Sequence, residues 1–95
     1  MIKTFADKYT EALFNDTLVL KWKNIEKIAR RKLNAIHFAD QLRDLTKPPH
    51  NRLEALKGEL KGKWSIRINK QYRIIFVWGK DNNAYEVEIS KHYEK

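Results

Sequence analysis

The sequence predicts an α+β domain in which N-terminal helices pack on one face of a small, twisted antiparallel sheet. Three observations carry that prediction. In the first half of the chain apolar residues recur at three- and four-residue spacing, the period of an amphipathic helix. In the second half they alternate with polar residues, the period of a strand. The helical stretches also precede the strands, as in a sheet backed by helices on one side. With 95 residues, 42% of them hydrophobic, residues 1–95 make one domain with a real core and little room for a second.

Residues 2–5, Ile-Lys-Thr-Phe, read as a short edge strand. Asp7 can cap a first helix that runs to about Phe14, with Tyr9, Leu13 and Phe14 on its apolar side, before Asn15-Asp16-Thr17 breaks it. A longer helix is expected from about Trp22 to Phe38, because Trp22, Ile25, Ala29, Leu33 and Ile36 fall on one stripe. Its other faces carry Lys23, Lys27, Arg30, Arg31 and Lys32. A turn of helix near residues 39–45 stops at Lys47-Pro48-Pro49, since proline cannot continue a helix and restricts the residue before it. Residues 53–57 then read as a strand, and Gly58 and Gly62 bracket a charged loop.

A hairpin follows, residues 64–69 and 72–78. Trp64, Ile66, Ile68, Tyr72, Ile74, Phe76 and Trp78 form one face, and Ser65, Arg67, Arg73, Ile75 and Val77 the other. Both apolar sets share a face only if paired residues have the same parity. That favours a connection centred on Lys70, with Ile68 opposite Tyr72 and Arg67 opposite Arg73. Asp81-Asn82-Asn83 turns the chain into a last strand, residues 84–90. Simple alternation there puts Tyr85, Val87 and Ile89 on one face, with Glu86, Glu88, Ser90 and His92 on the other.

The formal charge of +8 favours a polyanion or an acidic protein as partner. No cysteine is present, so disulfides and thiolate metal sites are excluded, and no spacing of metal ligands is visible. No cofactor is called for. No apolar run suggests a signal peptide or a membrane span, so a cytoplasmic protein is expected.

The placement of the arginines sharpens the charge argument. Like charges directly across a ladder cost stability. Arg67 and Arg73 are tolerated there if Glu86 and Glu88 neutralise them, or if they await an anion such as phosphate. Guanidinium presents forked donors that match phosphate oxygens. Glu54, on the strand before the hairpin, could serve as a general base, and Lys57 could hold phosphate or assist proton transfer. Alternation puts the two on opposite faces unless a bulge intervenes or Lys57 curls over the strand end. The basic helix residues Lys27, Arg30 and Arg31 are either a solvated face or a contact to RNA backbone or an acidic partner.

Pro48-Pro49, Asn51-Arg52-Leu53-Glu54-Ala55-Leu56, Leu60-Lys61-Gly62, Trp64-Ser65-Ile66-Arg67-Ile68-Asn69, Gln71-Tyr72-Arg73 and Val87-Glu88-Ile89 stand in one order and register. In these words the chain closely resembles the HigB family of bacterial toxins, within the RelE-like group of small ribonucleases. Met1-Ile2-Lys3-Thr4-Phe5 is similar to that family's opening strand. The resemblance implies a RelE-like fold and an active-site arginine at Arg73. It also implies a catalytic residue at Glu54, where some relatives carry histidine. Many relatives end in Asp-Tyr-His after the Val-Glu-Ile word, whereas Lys91-His92-Tyr93 stands here. The residue types survive in swapped order, with His92 as a candidate acid, Tyr93 as a stacking platform and Lys91 as an added cation.

What the resemblance implies is the toxin of a type II toxin–antitoxin pair, a metal-independent endoribonuclease that cleaves messenger RNA on the ribosome. Its partner would be a helix-turn-helix antitoxin, HigA, meeting Lys27, Arg30 and Arg31 through acidic residues. Two other readings stay open: a ParE-like toxin acting on DNA gyrase without nuclease activity, and a basic RNA-binding module without catalysis.

Overall fold

The computed structural model describes residues 1–91. Two helices, α1 (Lys8–Phe14) and α2 (Glu26–Phe38), pack on one face of a four-stranded antiparallel sheet. Its strands are β1 (Glu54–Ala55), β2 (Trp64–Arg67), β3 (Tyr72–Trp78) and β4 (Ala84–Lys91), in that spatial order. The core lies between the layers. Leu13 of α1 and Ala29, Leu33 and Ile36 of α2 meet Ile66, Ile74, Phe76 and Val87 of the sheet, all fully buried.

Asp7 caps α1 as expected: its carboxylate accepts from the Thr10 amide at 2.7 Å and from the Thr10 hydroxyl at 2.7 Å. The long helix begins later than its apolar stripe suggests. Residues Leu20–Ile25 form a 3-10 segment kinked at Trp22 (φ −114°, ψ 17°), and α2 starts at Glu26. The kink lets Trp22 and Ile25 both turn into the core. After Ala39 the chain makes a 3-10 turn, Leu42–Thr46, rather than a helix over residues 39–45.

Asn51 is fully buried and organises the segment that follows. Its side-chain amide donates to the Leu45 carbonyl at 3.2 Å and the Lys47 carbonyl at 3.1 Å, while its oxygen accepts from Lys32 Nζ. Lys32 therefore belongs to the interior and not to a solvated helix face. Burial, and then the neighbouring Arg31 charge, lower its pKa from the ordinary lysine value.

Both short strands are cut by backbone geometry. Arg52 is left-handed (φ 46°) and Gly58 turns the chain at φ 67°, so the strand expected over residues 53–57 is reduced to β1. At the N-terminus, Ile2 and Phe5 make only isolated parallel bridges to Ala84 and Val87. The ladder is interrupted because β4 bulges at Glu86 (φ 52°), whose amide bonds instead to the Thr4 hydroxyl at 2.8 Å. His37 is structural: Nδ1 accepts from the Ile2 amide at 3.1 Å and its ring lies between Phe14 and Phe38. No helix of the described residues is long and apolar enough to cross a membrane.

Candidate functional site

The β2–β3 register is the one parity requires. Trp64 pairs with Phe76, Ile66 with Ile74, Ser65 with Ile75 and Arg67 with Arg73. Asn69 holds the connection, its side-chain oxygen accepting from the Gln71 and Tyr72 amides at 2.8 Å each. With Ile66, Ile74 and Phe76 committed to the helices, Ser65, Arg67, Arg73, Ile75 and Val77 are turned to the opposite face.

The bulge decides what β4 adds to that face. Arg73 pairs with Ser90 and Ile75 with Glu88, but beyond the bulge Val77 pairs with Tyr85 and Trp78 with Ala84. Ala84, Val87 and Ile89 therefore face the helices, whereas Tyr85, Glu88 and Ser90 share the arginine face. This corrects the expectation that Tyr85 lies with Val87 and Ile89: an extra residue in one strand reverses the alternation on its far side. Glu86 sits at the bulge, exposed, and not in line with Glu88.

Two cross-strand rows result. One runs Glu54, Ser65, Ile75, Glu88, and the next runs Arg67, Arg73, Ser90. Arg73 is half-buried, and its Nε is buried without a hydrogen-bond partner among the described residues. Arg67 Nε donates to the Asn69 carbonyl at 3.1 Å. Neither guanidinium forms an ion pair among the described residues, where both ion pairs found belong to Arg30. The neutralising ladder with Glu86 and Glu88 is thus not formed there. At the far end of the face the Tyr85 hydroxyl donates to the Asp81 carboxylate. That bond holds the Asp81 pKa down and the Tyr85 pKa up. Gly79 leaves room for the Tyr85 ring, since a Cβ there would lie 2.9 Å from it.

The other expected site residues divide. Glu54 is exposed and opposite Ser65, hence on the arginine face, two strands across and one row along from Arg73, about 12 Å away. The strand ends at Ala55, so no bulge carries Lys57 to that face; Lys57 is exposed at the entry to the 3-10 turn Gly58–Leu60. Lys91 pairs with Tyr72 and lines a cleft with Lys21, Trp22 and Ile89. It therefore lies on the helix side of the sheet, on the opposite face from Arg67 and Arg73. His92 and Tyr93 lie outside the described residues.

On α2, Lys27 and Arg31 are exposed. Arg30 is not available in the same way. Its Nε donates to the Leu13 carbonyl at 3.0 Å and lies 3.3 Å from Asp16, and Nη1 lies 3.2 Å from Glu26. It clips the end of α1 to α2. The Glu26–Arg30 spacing of four residues is a sequence signal for the ion pair within α2. Among the described residues no cluster of three His, Cys, Asp or Glu side chains could hold a metal ion.

Residues 3–92 match the family model described as RelE-like toxin of type II toxin–antitoxin system HigB. Toxin HigB-1 of Vibrio cholerae is 44% identical over 80 residues, covering 82% of this chain and 84% of its own. An uncharacterised protein of Haemophilus influenzae is 41% identical over 64 residues, covering 65% of this chain and 63% of its own. Among solved structures, the YoeB–YefM complex from Staphylococcus aureus superposes at TM-score 0.56 with 17% identity, covering 100% of this chain and 99% of that one. The YoeB/ParE toxin from Agrobacterium tumefaciens gives 0.56 at 20% identity, covering 97% and 100%. At such identities these two establish a shared fold.

Proposed function

The chain belongs to the HigB family of RelE-like toxins of type II toxin–antitoxin systems, and from that premise we propose that it is an endoribonuclease that halts translation by cutting messenger RNA in the ribosomal A site. The observation that carries this reading is the cross-strand Arg67–Arg73 pair, held without a carboxylate among the described residues. Such a pair is suited to an RNA phosphate.

Cleavage would proceed without a metal. The 2′-hydroxyl attacks the adjacent phosphorus, forming the 2′-O–P bond as the P–O5′ bond breaks. A base takes the 2′-hydroxyl proton and an acid returns one to the departing 5′-oxygen, leaving a 2′,3′-cyclic phosphate and a 5′-hydroxyl. Arg73, with Arg67 beside it, stabilises charge on the phosphoryl oxygens. Glu54 shares their face and is the candidate base, its distance from Arg73 being bridged by the RNA and by the geometry the ribosome imposes. His92 is the candidate acid and Tyr93 a stacking surface for a base. Lys57, exposed beyond β1, is a candidate phosphate contact from the strand end. A site this sparse needs its substrate oriented, so free RNA should be cut poorly. Action on the ribosome implies a cytoplasmic location.

A cognate antitoxin completes the system, and we assign it the HigA-like helix-turn-helix class. DNA would then be met only through that partner. The deciding experiment maps transcript 5′ ends after brief induction and compares purified protein on programmed ribosomes with naked RNA. New ends within translated codons, and cleavage only with ribosomes, are expected. Robust cleavage of naked RNA would overturn the ribosome-dependent mechanism. Unchanged transcript ends with early supercoiling defects would point instead to a gyrase inhibitor.

A further inference from the structure

The start of α1, the linker that follows it and the first turn of α2 leave large apolar side chains in solvent. Leu20 is 77% exposed, Leu18 56%, Tyr9 56% and, on the adjoining turn of α2, Ile28 40%. They are contiguous. One open groove, about 400 Å³, is lined by Tyr9, Ala12, Leu18 and Leu20, and a second, about 580 Å³, by Leu18, Ile28, Lys27 and Arg31. Leu18 is common to both, so the two form a single trough.

Its rim is basic. Lys21 stands at one end, with Nζ 3.9 Å from the Tyr9 ring centroid, while Lys23, Lys27 and Arg31 line the other. The sole acid in the lining, Glu26, is already held by Arg30 at 3.2 Å. Exposed aliphatic groups ringed by cations fit a segment of opposite pattern, apolar along one stripe and acidic beside it. A stretch of RNA backbone would answer the cations and leave Leu18, Leu20 and Ile28 uncovered. A second copy of this chain would bring cations against cations.

We propose that this trough is the docking site of the antitoxin, taken by an acidic amphipathic helix whose apolar stripe covers Leu18, Leu20 and Ile28. The proposal rests on the chain's membership of a toxin–antitoxin family and does not require that it cleave RNA. Lys27 and Arg31 lie on the side of α2 away from Ala29, Leu33 and Ile36, which pack on the sheet. The trough is therefore on the far side of the helix layer from Arg67 and Arg73. A helix bound in it would lie on the opposite side of the molecule from the arginine face.

The test measures binding of the full chain to purified cognate antitoxin by titration calorimetry and stopped-flow mixing at low and moderate salt. Leu20→Asp should weaken binding about thirtyfold or more, as expected for a central apolar contact. Lys27→Glu with Arg31→Glu should chiefly slow association, and the defect should shrink as salt rises. Arg43→Glu, exposed on the 3-10 turn Leu42–Thr46, controls for net charge and should change neither. In cells, Leu20→Asp should remain growth-inhibiting but escape the antitoxin. Unchanged affinity in folded Leu20→Asp overturns the proposal. So does loss of toxicity with affinity intact, which would make the trough a ribosome contact. Loss of a wild-type dimer with antitoxin affinity intact would show a second copy to be the occupant, and would overturn it too. Because the binding arm reads affinity alone, failure of the nuclease reading leaves it standing.

Discussion

Arg67 and Arg73 stand directly opposite one another across the β2–β3 ladder, with no carboxylate paired to either among the described residues. Cross-strand like charges oppose folding by a few tenths of a kcal/mol to about 1 kcal/mol. The arrangement therefore gives up stability in the empty state and recovers it when an anion lies between the guanidinium groups. Among the described residues the buried Arg73 Nε also has no partner, which points the same way, because a buried donor left unpaired is costly.

Arg73→Ala should leave the fold and antitoxin binding intact while removing most toxicity. The flanking Tyr72, Ile74 and Phe76 secure the strand from its other face, so the backbone does not depend on the guanidinium. Losing one donor to developing charge costs about 3–4 kcal/mol, a hundredfold or more in rate. Arg73→Lys should recover part of this, since the ammonium keeps the charge without the fork. Growth inhibition and ribosome-bound cleavage rates check it. A folded Arg73→Ala protein that cleaves at the wild-type rate makes the arginine a scaffold residue.

Arg67→Glu should separate stability from activity. Replacing one cation by a carboxylate turns the repulsive pair into an attractive one, raising unfolding free energy by about 0.5–1 kcal/mol. The same change occupies Arg73 and repels phosphate, so cleavage should fall at least as far as in Arg73→Ala. Urea denaturation alongside single-turnover cleavage gives both numbers. Reduced stability would mean that the Arg67 bond to the Asn69 carbonyl, at 3.1 Å, matters more than the charge opposition.

The hairpin was legible because parity, turn length and two apolar runs all demand the same register, and only one pairing puts Ile66, Ile74 and Phe76 on the core. The last strand was not, because a non-glycine bulge leaves no local mark. Tyr85, Val87 and Ile89 alternate as a regular strand would, and only the three-dimensional pairing shows Ala84 taking the buried place. Lys32 looked like one more helix-surface cation, yet its partner Asn51 is 19 residues away and visible only in the fold. Arg30 is the reverse case. Glu26 four residues earlier and Asp16 in the preceding breaker were present in the sequence, and together they make it a clip.

His37 gives the protein a pH dependence of known sign. Burial, then the nearby N-terminal amino group, hold its pKa below the ordinary value of 6.5. As pH falls, the unfolded chain takes the proton first, so the contribution to stability is intact above that value and declines below it. Protonation also removes the Nδ1 acceptor of the Ile2 amide. Denaturation at several pH values between about 8 and 5 should show the wild type losing more stability on acidification than His37→Gln, which keeps an acceptor but does not titrate. Equal losses would show that another group controls the acid limb.

The bulge at Glu86 sets which residues of β4 see the arginine face, so its strain is a test of the site as much as of the fold. Glutamate at φ 52° occupies a region that only glycine enters without steric cost. Glu86→Gly should therefore stabilise the protein by about 0.5–1 kcal/mol without moving the register. Glu86→Val should do the opposite, because a β-branched side chain resists positive φ and prefers a regular strand. A regular strand would remove the extra residue, turn Tyr85 from the arginine face and put Ala84 on it. Chemical denaturation measures the first effect. Amide exchange at Lys3, Ala6 and Val87, whose bonds flank the bulge at 2.8, 2.9 and 3.1 Å, measures the second. If glycine destabilises and valine is tolerated, β4 runs without a bulge, and Tyr85 and Val87 belong on one face after all.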